Sequence, residues 1–310
     1  MQRDLHHLLA DYLQWRTSLN AGTTTLRTCR YNAHAFLRWL ARTFGVYAAD
    51  ALRKRHLIAW QQHLAERPGR GGAPLKPRSI NKKIEAARGF LAFLASQGYV
   101  QSPLADTLQY VRQPKMLPGT VLDHAQVRKL LARIPTTDGC GHRDRAMLEL
   151  LYSSGIRVGE LLGLDVHDID PRNATMRVLG KGEKERVVPI GRTALRYLES
   201  YTIAVRPFLL RDRSEKALFL DRRGCRLAYH RLLKSVHRYA RLAGLAVNVT
   251  PHTFRRSCTT ELIRSGANMY HVKELLGHES LDTLKHYAKL TIADLKKTHA
   301  KHHPRERSRD

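Results

Sequence analysis

The stretch Ala174-Thr175-Met176-Arg177-Val178-Leu179-Gly180-Lys181-Gly182-Glu183-Lys184-Glu185-Arg186-Val187-Val188-Pro189-Ile190 decides how the rest of the chain is read. Its two ends alternate apolar and polar residues as strands do. Between them lie two glycines and three charged residues. Two alternating runs joined by a turn-rich connection predict a β-hairpin. Elsewhere the apolar residues recur at helical spacing. The sequence therefore predicts a mainly α fold with a small antiparallel β-sheet.

Upstream of the hairpin, Ala146, Met147, Leu150 and Leu151 mark one helix, with Gly155 as its stop, and Asp123-His124-Ala125-Gln126-Val127 opens another. Gln113-Pro114-Lys115-Met116-Leu117-Pro118-Gly119 reads as a linker, because prolines and glycine there interrupt the periodic segments. Before it, Leu5, Leu8, Leu9, Tyr12, Leu13 and Trp15 predict a first helix. Thr23, Thr24 and Thr25 are N-cap candidates for a second, carrying Leu26, Tyr31, Phe36, Leu37, Trp39 and Leu40. Leu57, Ile58, Trp60, Gln61 and Leu64 predict a third. The run Pro68-Gly69-Arg70-Gly71-Gly72-Ala73-Pro74 predicts a flexible loop. A fourth helix runs from Arg78 through Phe90, Leu91, Phe93 and Leu94 to Gly98. Downstream, helices resume at Thr193. The expected organisation is a helical domain over 1–112, a linker over 113–119, an α+β domain over 120–300 and a basic tail over 301–310.

The 310 residues suffice for two cores, and 43% hydrophobic content suits a folded chain. Lys+Arg outnumber Asp+Glu by 54 to 27, a formal charge of +27. So large an excess calls for a polyanionic partner. The charge runs through both halves rather than along one amphipathic helix, which favours nucleic acid over a membrane surface. Lys76, Arg78, Lys82 and Lys83 are candidates for gripping phosphates, or form the wet face of a helix. No apolar run is long enough to span a membrane, and the N-terminus lacks the pattern of a secretory signal. Cys29, Cys140, Cys225 and Cys258 are widely spaced, so reduced thiols in the cytoplasm are expected and no zinc knuckle. There is no phosphate-loop motif and no H-E-x-x-H.

Several short motifs carry chemistry: Ser154-Gly155-Ile156-Arg157, Gly180-Lys181-Gly182, Pro251-His252-Thr253-Phe254-Arg255-Arg256, Leu275-Leu276-Gly277-His278 and His286-Tyr287. Breaking a phosphodiester without hydrolysis needs a nucleophile that keeps the phosphoryl bond. It also needs donors for the non-bridging oxygens and groups that move protons at the attacking and leaving oxygens. Arginine suits the first demand because its planar fork is always charged. Tyrosine, with a pKa near 10, needs neighbouring cations to expose its phenolate.

These motifs resemble the tyrosine recombinase/integrase family, most closely its Xer-like and mobile-element members. The family's arginine segment corresponds to Ser154 through Leu161, its hairpin lysine motif to Gly180 through Arg186, its H-x-L-R box to His252 through Arg255 and its L-L-G-H box to Leu275 through His278. Tyr287 follows nine residues after His278. The resemblance implies that Tyr287 attacks the scissile phosphate to give a 3′-phosphotyrosine, with Arg157 and Arg255 on the non-bridging oxygens. It implies Lys181 as general acid, His252 as a proton-transfer aid and His278 as a phosphate ligand, with no metal or other cofactor. The implied partner is double-stranded DNA at paired sites, bound by a homotetramer or a heterotetramer with a related recombinase, in the cytoplasm at the nucleoid. Residues 1–112 resemble the family's helical, SAM-like core-binding domain in length and character, and Thr291–Lys297 is a candidate contact between subunits. Glu160 is expected to orient an arginine. Arg256 replaces a frequent histidine and Phe254 a frequent leucine. Type IB topoisomerases share this chemistry, and a catalytically inactive DNA-binding architectural protein would share the charge.

Overall fold

The structure, a computed structural model, describes residues 4–69, 72–100, 104–114, 120–180 and 184–277. The chain divides into two compact units, Met1–Lys115 and Met116–Asp310.

In the first unit, α1 (Leu5–Ser18) starts where the Asp4 carboxylate accepts the His6 backbone N–H at 2.6 Å. Its stripe of Leu5, Leu8, Leu9, Tyr12 and Leu13 is buried. Helix α2 (Thr23–Phe44) buries Ala33, Phe36, Leu37 and Leu40 and stops at Gly45, whose φ of 62° is left-handed. The expected threonine caps are a correction: Gly22 is the N-cap and Thr23 is already helical. Helix α3 (Lys54–Glu66) buries Leu57, Trp60 and Leu64, but Ile58 is 50% exposed, turned away from the face that its neighbour Leu57 buries. Helix α4 (Pro77–Ser96) begins on a proline, whose missing N–H costs nothing in a first turn. Phe36, Trp60, Phe90 and Leu94 belong to one shared core. The loop before α4 is tied at its base, where Gly69 N–H donates to Ala73 O at 2.6 Å and Pro68 bridges to Pro74.

In the second unit, Asp123 and Gln126 cap α5 (His124–Ala132) reciprocally, at 2.8 and 3.1 Å. Helix α6 (Gly139–Ser154) is buried along most of its length and packs against α8 (Arg192–Ala204) and α11 (Pro251–Arg264). Short α7 (Val158–Gly163) follows. The expected hairpin is present as β2 (Thr175–Leu179) and β3 (Glu185–Pro189), paired from Thr175↔Pro189 to Leu179↔Glu185. A further strand, β1 (Ile169–Asp170), pairs antiparallel with β2, giving the order β1-β2-β3. Two residues are too few to alternate, so no periodicity announces this strand. Met176, Val178 and Val188 face the core, with Leu150, Leu151 and Phe254. Helices α9 (Arg206–Leu209), α10 (Tyr229–Leu242) and α12 (Met269–Leu276) complete the described part. The mainly α fold with a small antiparallel sheet is thus as the sequence predicts. No described helix is long and apolar enough to cross a membrane.

Candidate active site

Two helix stops and two helix starts build the site. Helix α6 ends at Gly155 and α12 at Gly277, each with φ 62°. Both positions require glycine twice over. A Cβ at Gly155 would lie 2.6 Å from Leu276 Cδ2, and one at Gly277 would lie 2.9 Å from Arg186 Cζ. The left-handed turn is strained for any side chain there. Arg157 is the N-cap of α7, and its backbone N–H donates to Glu160 Oε2 at 2.8 Å. Thr250 caps α11, Pro251 fills its first turn, and His252 and Arg255 follow one turn apart on the same face.

The glycine turns supply acceptors to the arginines. Arg255 Nη1 donates to Gly155 O at 2.6 Å, and its Nη2 donates to Leu276 O at 2.8 Å. Arg157 Nη2 donates to Gly277 O at 2.7 Å, and its Nη1 to Glu160 Oε1 at 2.9 Å. Arg255 is 8% exposed, whereas the Arg157 side chain keeps 36% of its surface in solvent. The sequence placed these arginines 98 residues apart, and the fold anchors both to the turn that ends α12.

Glu160 is the buried centre, with a side chain 4% exposed. Burial alone would push its carboxyl up. Hydrogen bonds from Arg186 and Arg157 outweigh that and hold it below the usual carboxylate range. The expectation that Glu160 orients an arginine matches its bonds to Arg157. Arg186, part of the hairpin motif but given no role from sequence, donates to Glu160 Oε1 at 2.9 Å and Oε2 at 3.0 Å. The signal for it was strand alternation: Arg186 shares a face of β3 with buried Val188.

His252 is exposed, yet it is held below the ordinary imidazole range by desolvation and then by the charges of Arg256, Arg255 and Arg157. Its ring is therefore neutral near pH 7 and able to take a proton. The group so assembled is a set of fixed guanidinium donors beside a neutral imidazole, an arrangement suited to a phosphodiester. Lys181, His278 and Tyr287 lie outside the described residues, as do Thr291–Lys297, the tail 301–310 and most of the linker.

In the first unit, Lys76 is the N-cap of α4, and Arg78 and Lys82 lie on that helix with Arg78 one turn before Lys82. Lys83 is different. It is half-buried, its Nζ donates to Asn32 Oδ1 at 3.5 Å and lies 5.7 Å from the Tyr31 ring centroid, and burial lowers its pKa. Asp165, His167 and Asp168 cluster in the second unit, but Arg226 and Arg177 already pair with the two carboxylates.

Residues 120–293 match the phage integrase family. Tyrosine recombinase XerD of Staphylococcus epidermidis is 36% identical over 228 residues, which is 74% of this chain and 77% of that one. A Tn1549 transposon integrase, solved with transposon right end DNA, superposes with a TM-score of 0.71 at 20% identity, covering 96% of this chain and 99% of that one. A lambda integrase tetramer bound to a Holliday junction gives a TM-score of 0.68 at 16% identity, covering 92% and 77%.

Proposed function

The chain belongs to the phage integrase family, the tyrosine recombinases, and from that premise we propose that it is a site-specific recombinase that cuts and rejoins double-stranded DNA through Tyr287. The phenolate oxygen bonds to the scissile phosphorus, the bond to the 5′-oxygen breaks, and a 3′-phosphotyrosine and a 5′-hydroxyl result. Arg157 and Arg255 bind the non-bridging oxygens as charge builds in the transition state. Neutral His252 takes the phenolic proton, Lys181 gives one to the leaving oxygen, and His278 donates to the phosphate. The phosphoryl bond energy is kept in the tyrosyl ester, so rejoining is the reverse reaction.

The observation that carries this reading is the convergence of Arg157 and Arg255 on the turn Leu276–Gly277, with their charges acting on His252. The same premise supports a working unit of two paired DNA sites held by a tetramer, either of this chain or with a related recombinase. The lambda integrase structure is a tetramer of that protein. The four helices of the first unit, with Lys76, Arg78, Lys82 and Lys83, are proposed to grip the same duplex.

The test is covalent trapping. Full-length protein is mixed with a library of nicked duplexes whose central base pairs are randomised, and protein–DNA adducts are isolated and sequenced. The expected outcome is an enriched motif from the wild type and no adduct from Tyr287→Phe, with DNA affinity nearly unchanged. Adduct from Tyr287→Phe at the wild-type yield would overturn the assignment of the nucleophile. Relaxation of a plasmid lacking the enriched motif would favour a topoisomerase instead.

A further inference from the structure

We propose that Arg186 is a positioning residue for the strand-transfer reaction, fixing both phosphate-binding arginines through the acceptors it shares with them. The inference rests on the recombinase reading above. One guanidinium on β3 reaches both anchor points of the site. Toward α7 it forms a two-pronged pair with Glu160, at 2.9 and 3.0 Å. Toward α12 its Nε donates to Leu275 O and its Nη2 to Leu276 O, each at 3.4 Å. Its Cζ stands where a Cβ on Gly277 would be 2.9 Å away.

The sharing is what gives Arg186 leverage. Glu160 Oε1 accepts from both Arg186 and Arg157. Leu276 O accepts from both Arg186 and Arg255. Arg157 also donates to Gly277 O, in the turn against which the Arg186 guanidinium packs. Moving Arg186 therefore moves an acceptor of each arginine. Arg186 itself is 18% exposed, half the figure for Arg157, and its donors already point at protein acceptors. Its effect on substrate is transmitted through Glu160 and the α12 turn.

Only a planar fork makes these contacts at once. A lysine in its place offers one compact ammonium, which satisfies Glu160 or the α12 carbonyls but not both. The charge survives that change and the geometry does not. Displacements of about 1 Å at reacting groups cost on the order of 10²-fold in rate. A positioning defect of this kind falls on the chemical step and leaves the phosphate contacts made elsewhere in place.

The test uses the full chain and the enriched nicked duplex from the trapping library. Arg186→Lys and Arg186→Gln are compared with Arg177→Lys, a matched change on exposed β2 whose partner is Asp168 at 3.2 Å. Single-turnover adduct formation, duplex affinity and the melting midpoint are read for each. We expect Arg186→Lys to slow adduct formation by about 10-fold or more, with affinity within about threefold, and Arg177→Lys to leave the rate unchanged. Adduct formation by Arg186→Lys at the wild-type rate would overturn the inference alone, as would a rate loss matched by an equal loss of affinity. Failure of both Arg186 variants to fold would also overturn it, because the residue would then be a stability element. No adduct from the wild type would overturn the recombinase reading and this inference with it.

Discussion

The two units treat charge in opposite ways. Among the described residues of the first unit, the buried polar side chains are Asn32 and His56, both uncharged or nearly so at neutral pH, and every charged group is left at least partly exposed. In the second unit Arg143, Asp144, Glu149, Glu160, Asp221 and Arg255 are all buried. Burying ions is costly unless each finds a partner, and apolar replacements often serve stability as well or better. The second unit nonetheless encloses them, paired: Arg143 with Asp144 at 2.7 Å, Arg145 with Glu149 at 2.7 Å, Arg186 with Glu160 at 2.9 Å. The difference teaches that arginines holding a phosphate through a reaction must themselves be held. Cations that only attract a duplex can stay solvated.

The sharpest way to break this contrast is to remove one buried partner and one exposed partner and compare stabilities. Glu160→Ala leaves Arg186 and Arg157 without their carboxylate, and should destabilise the protein by about 3–5 kcal/mol. Asp106→Asn, which weakens the exposed Arg88–Asp106 pair of the first unit, should cost about 0–1 kcal/mol. Urea unfolding of both variants measures the two values. Equal losses would mean that burial does not distinguish the two kinds of ion pair.

Next in size are the arginines themselves. Arg157→Lys and Arg255→Lys keep charge and lose the fork, and each should slow adduct formation by roughly 10²-fold or more, the loss seen when one transition-state donor is removed. Near-normal single-turnover cleavage by both would rule out a clamp on the non-bridging oxygens. It would also place these arginines with the merely attractive cations of the first unit.

Much of this was legible in the sequence, and what was missed follows a pattern. The hairpin was readable because Met176, Val178 and Val188 alternate on one face, and Gly155 was readable as a helix stop. The family and its fold followed from motif order. What the sequence hid was three-dimensional. Ile58 belongs to an apolar run but faces outward, and Lys83 belongs to a basic run but leans on Tyr31 and Asn32. The threonines before α2 satisfy a capping rule, yet Gly22 takes the position, because cap identity turns on where the first helical residue falls. Arg186 was visible only as an inward-facing charge on a strand. Its partner Glu160 lies 26 residues away, and spacing alone could not join them.

A smaller effect concerns pH. His252 is held down by desolvation and by the charges of Arg256, Arg255 and Arg157. Arg256→Gln removes one of those charges, so the His252 pKa rises toward the ordinary imidazole value. If His252 accepts the phenolic proton, activity is lost on the acid side as the ring protonates. The acid limb of the kcat/KM profile, which reports groups of the free enzyme, should then move to higher pH in Arg256→Gln. An unmoved limb, with the variant otherwise active, would show that another group titrates there.

The smallest effects should come from the solvated cations, and they complete the contrast by failing to resemble the buried ones. Arg78 and Lys82 lie one turn apart on α4. Replacing either with Ala should change stability by no more than about 0.5 kcal/mol. If each neutralises one phosphate, its removal weakens binding similarly on every sequence, because phosphates carry no base information. The slope of log affinity against log salt should become shallower by about 0.9 for each phosphate no longer neutralised. Titrations of the single and double variants over a salt series, on the enriched duplex and on an unrelated one, measure both quantities. A double variant with an unchanged slope would mean that α4 does not lie on the DNA, and the duplex would then be gripped by other cations of the first unit. Weakening confined to the enriched duplex would instead give these side chains a part in reading sequence, a role that charge alone does not supply.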